Sequence, residues 1–153
     1  MQAFAALIDG LVYTRSRDAK IKLIADYLRA TPDPDRGWAL AALAGTLSIA
    51  TVKSAAIRAM AEERFDPMLF RMSRDYVGDT AETVALMWGD QAGADTVAPS
   101  LNEVIDLLNS TSRASAPRLL AGLMDRLDAN GRYALLKLAS GGMRVGISAR
   151  LAK

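Results

Sequence analysis

The chain has 153 residues, a net charge of +2 and neither cysteine nor histidine, which together remove disulfides, thiolate nucleophiles, the usual zinc sites and imidazole acid–base catalysis. Its length suits one domain, residues 1–153, and its 51% hydrophobic and 24% charged content is that of a globular chain rather than a disordered one. No apolar run approaches the ~20 residues of a membrane span and the amino terminus lacks a secretory-leader pattern, so a cytoplasmic address without membrane attachment is expected.

Helical spacing begins at once. Phe4, Leu7, Ile8 and Leu11 share one stripe of a first helix. After "YTRSR", Ile21, Ile24, Tyr27 and Leu28 repeat the pattern, with Ser16 or Thr14 suited to cap the new helix. "TPDPDRG" breaks it, because proline disfavours helical geometry in the residue before it. A short helix with Trp38, Leu40 and Leu43 follows and ends near Gly45. Thr51 is placed to cap a helix running to about Arg64, and Asp66 before Pro67 restarts one. "DTAE" at Asp79 and "SLNE" at Ser100 both carry the three-residue offset of a capping box, the second more clearly. Between them, "GDQAGADTVAPS" reads as a surface loop. Pro117 opens a helix through Asp128, and "ANG" turns the chain into a last full helix from about Gly131 to Ser140. Ser148 then suits the cap of a helix that barely begins. No window alternates as a half-buried strand should, so the predicted class is all-α, a compact bundle of about eight to ten helices. Trp38 and Trp88 sit among apolar neighbours and are expected as core anchors, whereas Glu62, Glu63 and Asp66 are expected on the surface.

Charge is unevenly spread along this framework. Asp75 to Ser112 holds seven acidic residues and no lysine or arginine; Arg113 to Lys153 holds eight basic residues against Asp125 and Asp128, a local +6. A basic end of this kind is a candidate footprint for a polyanion, or simply the solvated face of the last helices. Three segments combine positive charge with helix starts. "GGMRVGISAR" offers glycines that let backbone approach a ligand, with Arg144 and Arg150 as charges; it lacks the ending of a nucleotide-binding loop and also reads as an ordinary glycine helix stop. "NSTSRASAPR" gathers Ser110, Thr111, Ser112, Arg113, Ser115 and Arg118, donors that recur in phosphate contacts and equally in plain capping. "TRSRDAKIK" sets Arg15, Arg17, Lys20 and Lys22 against Asp18 alone. Three such clusters make recognition of a sugar-phosphate backbone more plausible than one does.

"SRDAKIKLIADYLR", "TPDPDRGWALAAL", "DPMLFRMSRDYVGDTAETVALMW", "SLNEVIDLL" and "GGMRVGISARL", in that order, resemble the amino-terminal DNA-binding domain of bacterial ATP-dependent DNA ligases. The resemblance runs from the first helix to the last residue. It implies an all-helical, monomeric domain in the bacterial nucleoid that grips nicked or intact duplex DNA through the minor groove and phosphates, serving replication, repair or recombination. Carried over by position, Gly141, Gly142, Arg144 and Gly146, with Ser110, Thr111, Ser112 and Arg113, become the leading DNA contacts; Arg15, Arg17, Lys20 and Arg118 join them on charge.

The chain departs from the full family where the chemistry lies. A ligase forms its lysine–AMP adduct at a Lys-x-Asp-Gly motif, but the only Asp-Gly here, Asp9 and Gly10, has Leu7 in the lysine's place. The expectation is a DNA-binding chain without catalytic residues, metal or cofactor of its own, ATP and Mg belonging to a catalytic core that would follow Lys153 in cis. The alternative from a different class is a helical protein-interaction adaptor that docks a basic partner on its acidic middle segment.

Overall fold

A computed structural model describes residues 1–47, 49, 54–89 and 98–140. Among the described residues there are nine helices and no strand: α1 (Gln2–Tyr13), α2 (Arg17–Ala30), α3 (Asp35–Ala44), α4 (Ser54–Arg64), α5 (Pro67–Val77), α6 (Thr80–Met87), α7 (Leu101–Ser110), α8 (Ala116–Asp125) and α9 (Ala129–Ser140). The all-α bundle of the predicted size is therefore what the chain forms. Among the described residues, no helix is long and apolar enough to cross a membrane.

The helix boundaries follow local chemistry. Ser16 accepts the Ala19 amide at 3.3 Å, Asp66 the Leu69 amide at 3.0 Å, Asp79 the Glu82 amide at 3.0 Å and Ser100 the Glu103 amide at 3.1 Å, each satisfying a donor that the first turn leaves open. Gly45 and Gly78 close α3 and α5 with φ of 75° and 81°, the left-handed conformation that favours glycine. Thr51, Ser148 and most of "GDQAGADTVAPS" lie outside the described residues.

Three expectations are corrected. In α3, Asp35 accepts the Asn102 amide at 2.9 Å and Trp38 Nε1 donates to Asn102 Oδ1 at 2.8 Å, strapping this helix to the start of α7 and holding Trp38, expected as a core anchor, at the edge of the core. Trp38 is consequently half-buried, while Trp88 is enclosed at 3% exposure. α8 ends at Asp125, not Asp128: Asp128 Oδ1 accepts the Gly131 amide at 2.8 Å and so opens α9. Ile21 is 41% exposed although it lies within about 20° of Leu28 round the helix; α2 packs chiefly on α1, and Ile24, Tyr27 and Leu28, further along, are the residues that reach the core.

The core is built around α9. Gly131, Arg132, Ala134, Leu135, Leu136, Leu138 and Ala139 are all buried, so this helix is enclosed on nearly every side. α1, whose predicted stripe Phe4, Leu7, Ile8 and Leu11 is buried, packs on it and on α2, where Phe4 meets the Tyr27 ring with centres 6.4 Å apart, and α6 also packs on α9. α4 lies against α8, α3 against α7 and α5 against α6. The buried Arg132 donates Nε to the Met124 carbonyl at 3.0 Å, tying α9 back to α8.

Candidate nucleic-acid interface

The α7–α8 connection is the best-formed of the predicted clusters. Ser112 Oγ lies 3.1 Å from Ser115 Oγ and accepts the Ser115 amide at 3.2 Å; the Ser112 carbonyl receives the Ala116 amide at 3.0 Å. These bonds hold a tight turn ahead of α8, with Pro117 in the first helical turn, where a missing amide costs nothing. Ser110 is a less open donor than its sequence context suggests, because its hydroxyl donates to the Asp106 carbonyl at 2.7 Å. Thr111 Oγ1 reaches the Ser112 carbonyl only at 3.5 Å. Arg113 and Arg118 are exposed, and no described residue pairs with either. No carboxylate occurs in the sequence between Asp106 and Asp125; an anion at the start of α8 would meet Arg113, Arg118 and a favourable helix dipole, with Glu63 of α4 the carboxylate that shares the adjoining cavity.

α4 joins this turn to the end of α9. A cavity of about 490 Å³ is lined by Met60, Glu63 and Arg64 of α4, by Trp88, and by Pro117 and Arg118 of α8. A second, of about 360 Å³, is lined by Ile57 and Arg58 of α4, Arg74 of α5, Thr80 of α6, and Lys137 and Ser140 of α9. Six residues of α4 separate Arg58 from Arg64, roughly 9 Å of rise along the helix. The start of α8 and the end of α9 therefore flank neighbouring stretches of one helix.

The cations of the two cavities are held to different degrees. The Arg64 guanidinium lies 3.9 Å from the Trp88 ring centre, donates to the Trp88 carbonyl at 3.3 Å and stands 3.7 Å from Asp125, while Trp88 Nε1 donates to Asp125 at 2.8 Å. That constellation closes the α4–α8 seam. Lys137 is bonded to Asp79 at 2.7 Å. Partial burial by itself would raise the Asp79 carboxyl; the hydrogen bond from Lys137, the Glu82 amide, the Lys137 charge and the Ala81 amide together outweigh it and hold the group below its ordinary value. Arg74 donates Nε to Thr80 Oγ1 at 2.7 Å, and Arg58 is exposed with no described partner. Sequence reasoning missed Arg58 and Arg74. Each is a cation on its own helix, and only the packing of α4, α5 and α9 brings them to one cavity.

The remaining predicted residues fall elsewhere. Arg15 and Arg17 are exposed at the α1–α2 junction and Lys20 is partly buried in the first turns of α2. The principal packing of α2 is on α1, and that of α8 on α4, α7 and α9, so the main helix contacts do not join this cluster to the α8 turn. Gly141, Gly142, Arg144 and Gly146 lie outside the described residues.

The charge asymmetry is partly consumed within the fold. Asp79 pairs with Lys137, and Glu103 with Arg126 at 3.1 Å, so the acidic middle and the basic end of the sequence neutralise one another where they meet. Among the described residues, no group of three or more metal-ligating side chains comes together. Compared with protein-family models and with curated proteins, the chain matches none.

Proposed function

We propose that this chain is a non-catalytic DNA-binding domain of the kind that positions nicked duplex for an ATP-dependent DNA ligase core. The single observation that carries the reading is the start of α8, where Arg113 and Arg118 stand exposed, with no partner among the described residues, on a hydroxyl-rich turn whose own sequence holds no carboxylate. The ordered resemblance of five segments to the ligase domain supports it, as does the cationic cavity beside Ser140, the residue that leads into Gly141. Phosphates bind through Arg113, Arg118 and the α8 turn. Arg58 and Arg74 supply charge near the end of α9, and the segment carrying Gly141, Gly142, Arg144 and Gly146 meets the minor groove. Catalysis, ATP and Mg belong to a separate core, with which this domain acts on replication, repair or recombination intermediates in the bacterial nucleoid.

The adaptor alternative is weakened in part by internal pairing. Asp79 and Glu103, two of the acidic residues it would offer a basic partner, already hold Lys137 and Arg126.

Fluorescence anisotropy with a labelled nicked duplex tests the reading. Log affinity is expected to fall linearly with log salt, by about 0.9 for each phosphate engaged. The double variant Arg113→Ala/Arg118→Ala is expected to bind roughly tenfold or more weakly, to lower the slope by about 2, and to melt within about 0.5 kcal/mol of the parent. Unchanged affinity in that variant and in Arg144→Ala would overturn the assignment. Strong preference for one base sequence would also count against it, since backbone contacts carry little sequence information.

A further inference from the structure

α5 has two apolar faces, and only one is covered. Phe70 points inward at 6% exposure and stacks on Phe65, ring centres 6.0 Å apart, which in turn meets Trp88 edge-on at 6.0 Å. Facing out are Met68, Leu69, Met72 and Tyr76, at 72%, 57%, 65% and 93% exposure. At 3.6 residues per turn these four lie within about 100° of one another, forming one continuous stripe along three turns. Four large apolar side chains this exposed on one helix form a patch of the kind that marks an interface.

Arg71 and Asp75 identify the occupant. Both are exposed on the same edge of the stripe, four residues apart, and neither pairs with any described residue. Within a helix, an arginine preceding an aspartate by four residues is the poorer orientation for a pair. A second α5 laid antiparallel across the first, related by a two-fold axis perpendicular to both helices and passing beside Met72, keeps this edge on the same side. It then sets Arg71 of each copy opposite Asp75 of the other while Met72 packs near Met72 and Met68 approaches Tyr76. The charges and the stripe are thus self-complementary under one operation, the condition a two-fold interface must meet.

We propose that α5 is the contact of a weak two-fold dimer of this chain, in place of the monomer that the family resemblance implies, closed by the Met68–Leu69–Met72–Tyr76 stripe and two reciprocal Arg71–Asp75 pairs. A stripe on one helix falls short of the ~800 Å² per partner of a standard interface, so association in the micromolar range or weaker is expected. Arg74, which lines the cationic cavity, lies on the opposite side of α5 from the stripe. The dimer contact and the DNA face are therefore separable on this helix, and the dimer does not rest on the DNA reading.

Sedimentation velocity of the full chain from about 1 µM to about 1 mM tests the proposal over the affinity range expected. A concentration-dependent shift from monomer to dimer is expected, abolished by Met72→Lys. Arg71→Asp or Asp75→Arg alone, each placing like charges face to face, weakens the dimer roughly tenfold or more, and Arg71→Asp/Asp75→Arg together restores it. A monomer throughout overturns the proposal, whether the stripe is covered by another part of this chain or by a different protein. So does a dimer indifferent to Met72→Lys, or one that the double charge exchange fails to rescue. Anisotropy with nicked duplex, run on the same variants, reports the DNA reading independently.

Discussion

The starts of α6 and α8 are built from similar materials and arrive at opposite electrostatics. Both place a short polar side chain three residues ahead of an amide that it satisfies: Asp79 for Glu82, Ser112 for Ser115. At α6 the capping group is a carboxylate, and it also holds Lys137 at 2.7 Å, so the site is filled from within the molecule. In the turn before α8 the accepting group is a neutral hydroxyl, Ser115 at the N-cap makes no side-chain cap bond, and no described residue pairs with the neighbouring Arg113 or Arg118. A carboxylate at the one helix start recruits an internal cation, whereas the neutral turn at the other leaves its dipole and its arginines unpaired with any described carboxylate.

The largest effect is expected where the filled site is broken. Asp79→Ala removes a cap worth about 1 kcal/mol and strands Lys137, whose side chain is 20% exposed, for a total near 2 kcal/mol in urea denaturation. Because the folded-state carboxyl lies below the ordinary 3.8, its contribution is complete above that pH and is lost as the pH falls through the folded value. The Asp79→Asn variant is therefore expected to show a flatter stability profile below about pH 4, and an unchanged profile would mean that the Lys137 contact adds nothing.

The open site is sharpened by giving it the character of the filled one. Ser112→Asp is expected to stabilise the domain by about 0.5 kcal/mol through the α8 dipole while weakening duplex binding several-fold. A variant that melts higher yet binds as before would separate the α8 start from DNA recognition. The smallest effect is expected within α8 itself. A Cβ at Gly122 meets nothing within 4 Å, so Gly122→Ala is expected to add about 0.5 kcal/mol or slightly more in thermal denaturation.

What was legible in the sequence was local. Ser16, Asp66, Asp79 and Ser100 are caps because each lies three residues before an amide in need of an acceptor, a relation contained in a few consecutive letters. The α1 stripe was equally plain, as its four apolar residues are all buried. Asp128 was misread because an aspartate at the join of two helical patterns suits the end of one as well as the start of the next, and only the Gly131 amide decides it. Ile21 was misread because its spacing puts it on the stripe, within about 20° of Leu28, but spacing does not say how far along the helix a neighbour reaches.

The candidate site divides along the same line. Its hydroxyls and arginines at the α8 turn were visible as composition, but that Ser110 donates to its own helix required the backbone path. Arg58, Arg74 and Lys137 converge from three helices, and the Asp79–Lys137 bond spans 58 positions. Contacts at that separation follow from how helices pack, which no single window contains.

The enclosure of α9 has a mechanical corollary. A helix buried on nearly every side resists swivelling and sliding, so its last turn, ending at Ser140, is held in place beside Arg58 and Arg74. A ligand held at that end of α9 would be positioned against the core, and tension on it would be resisted by packing rather than absorbed by a hinge.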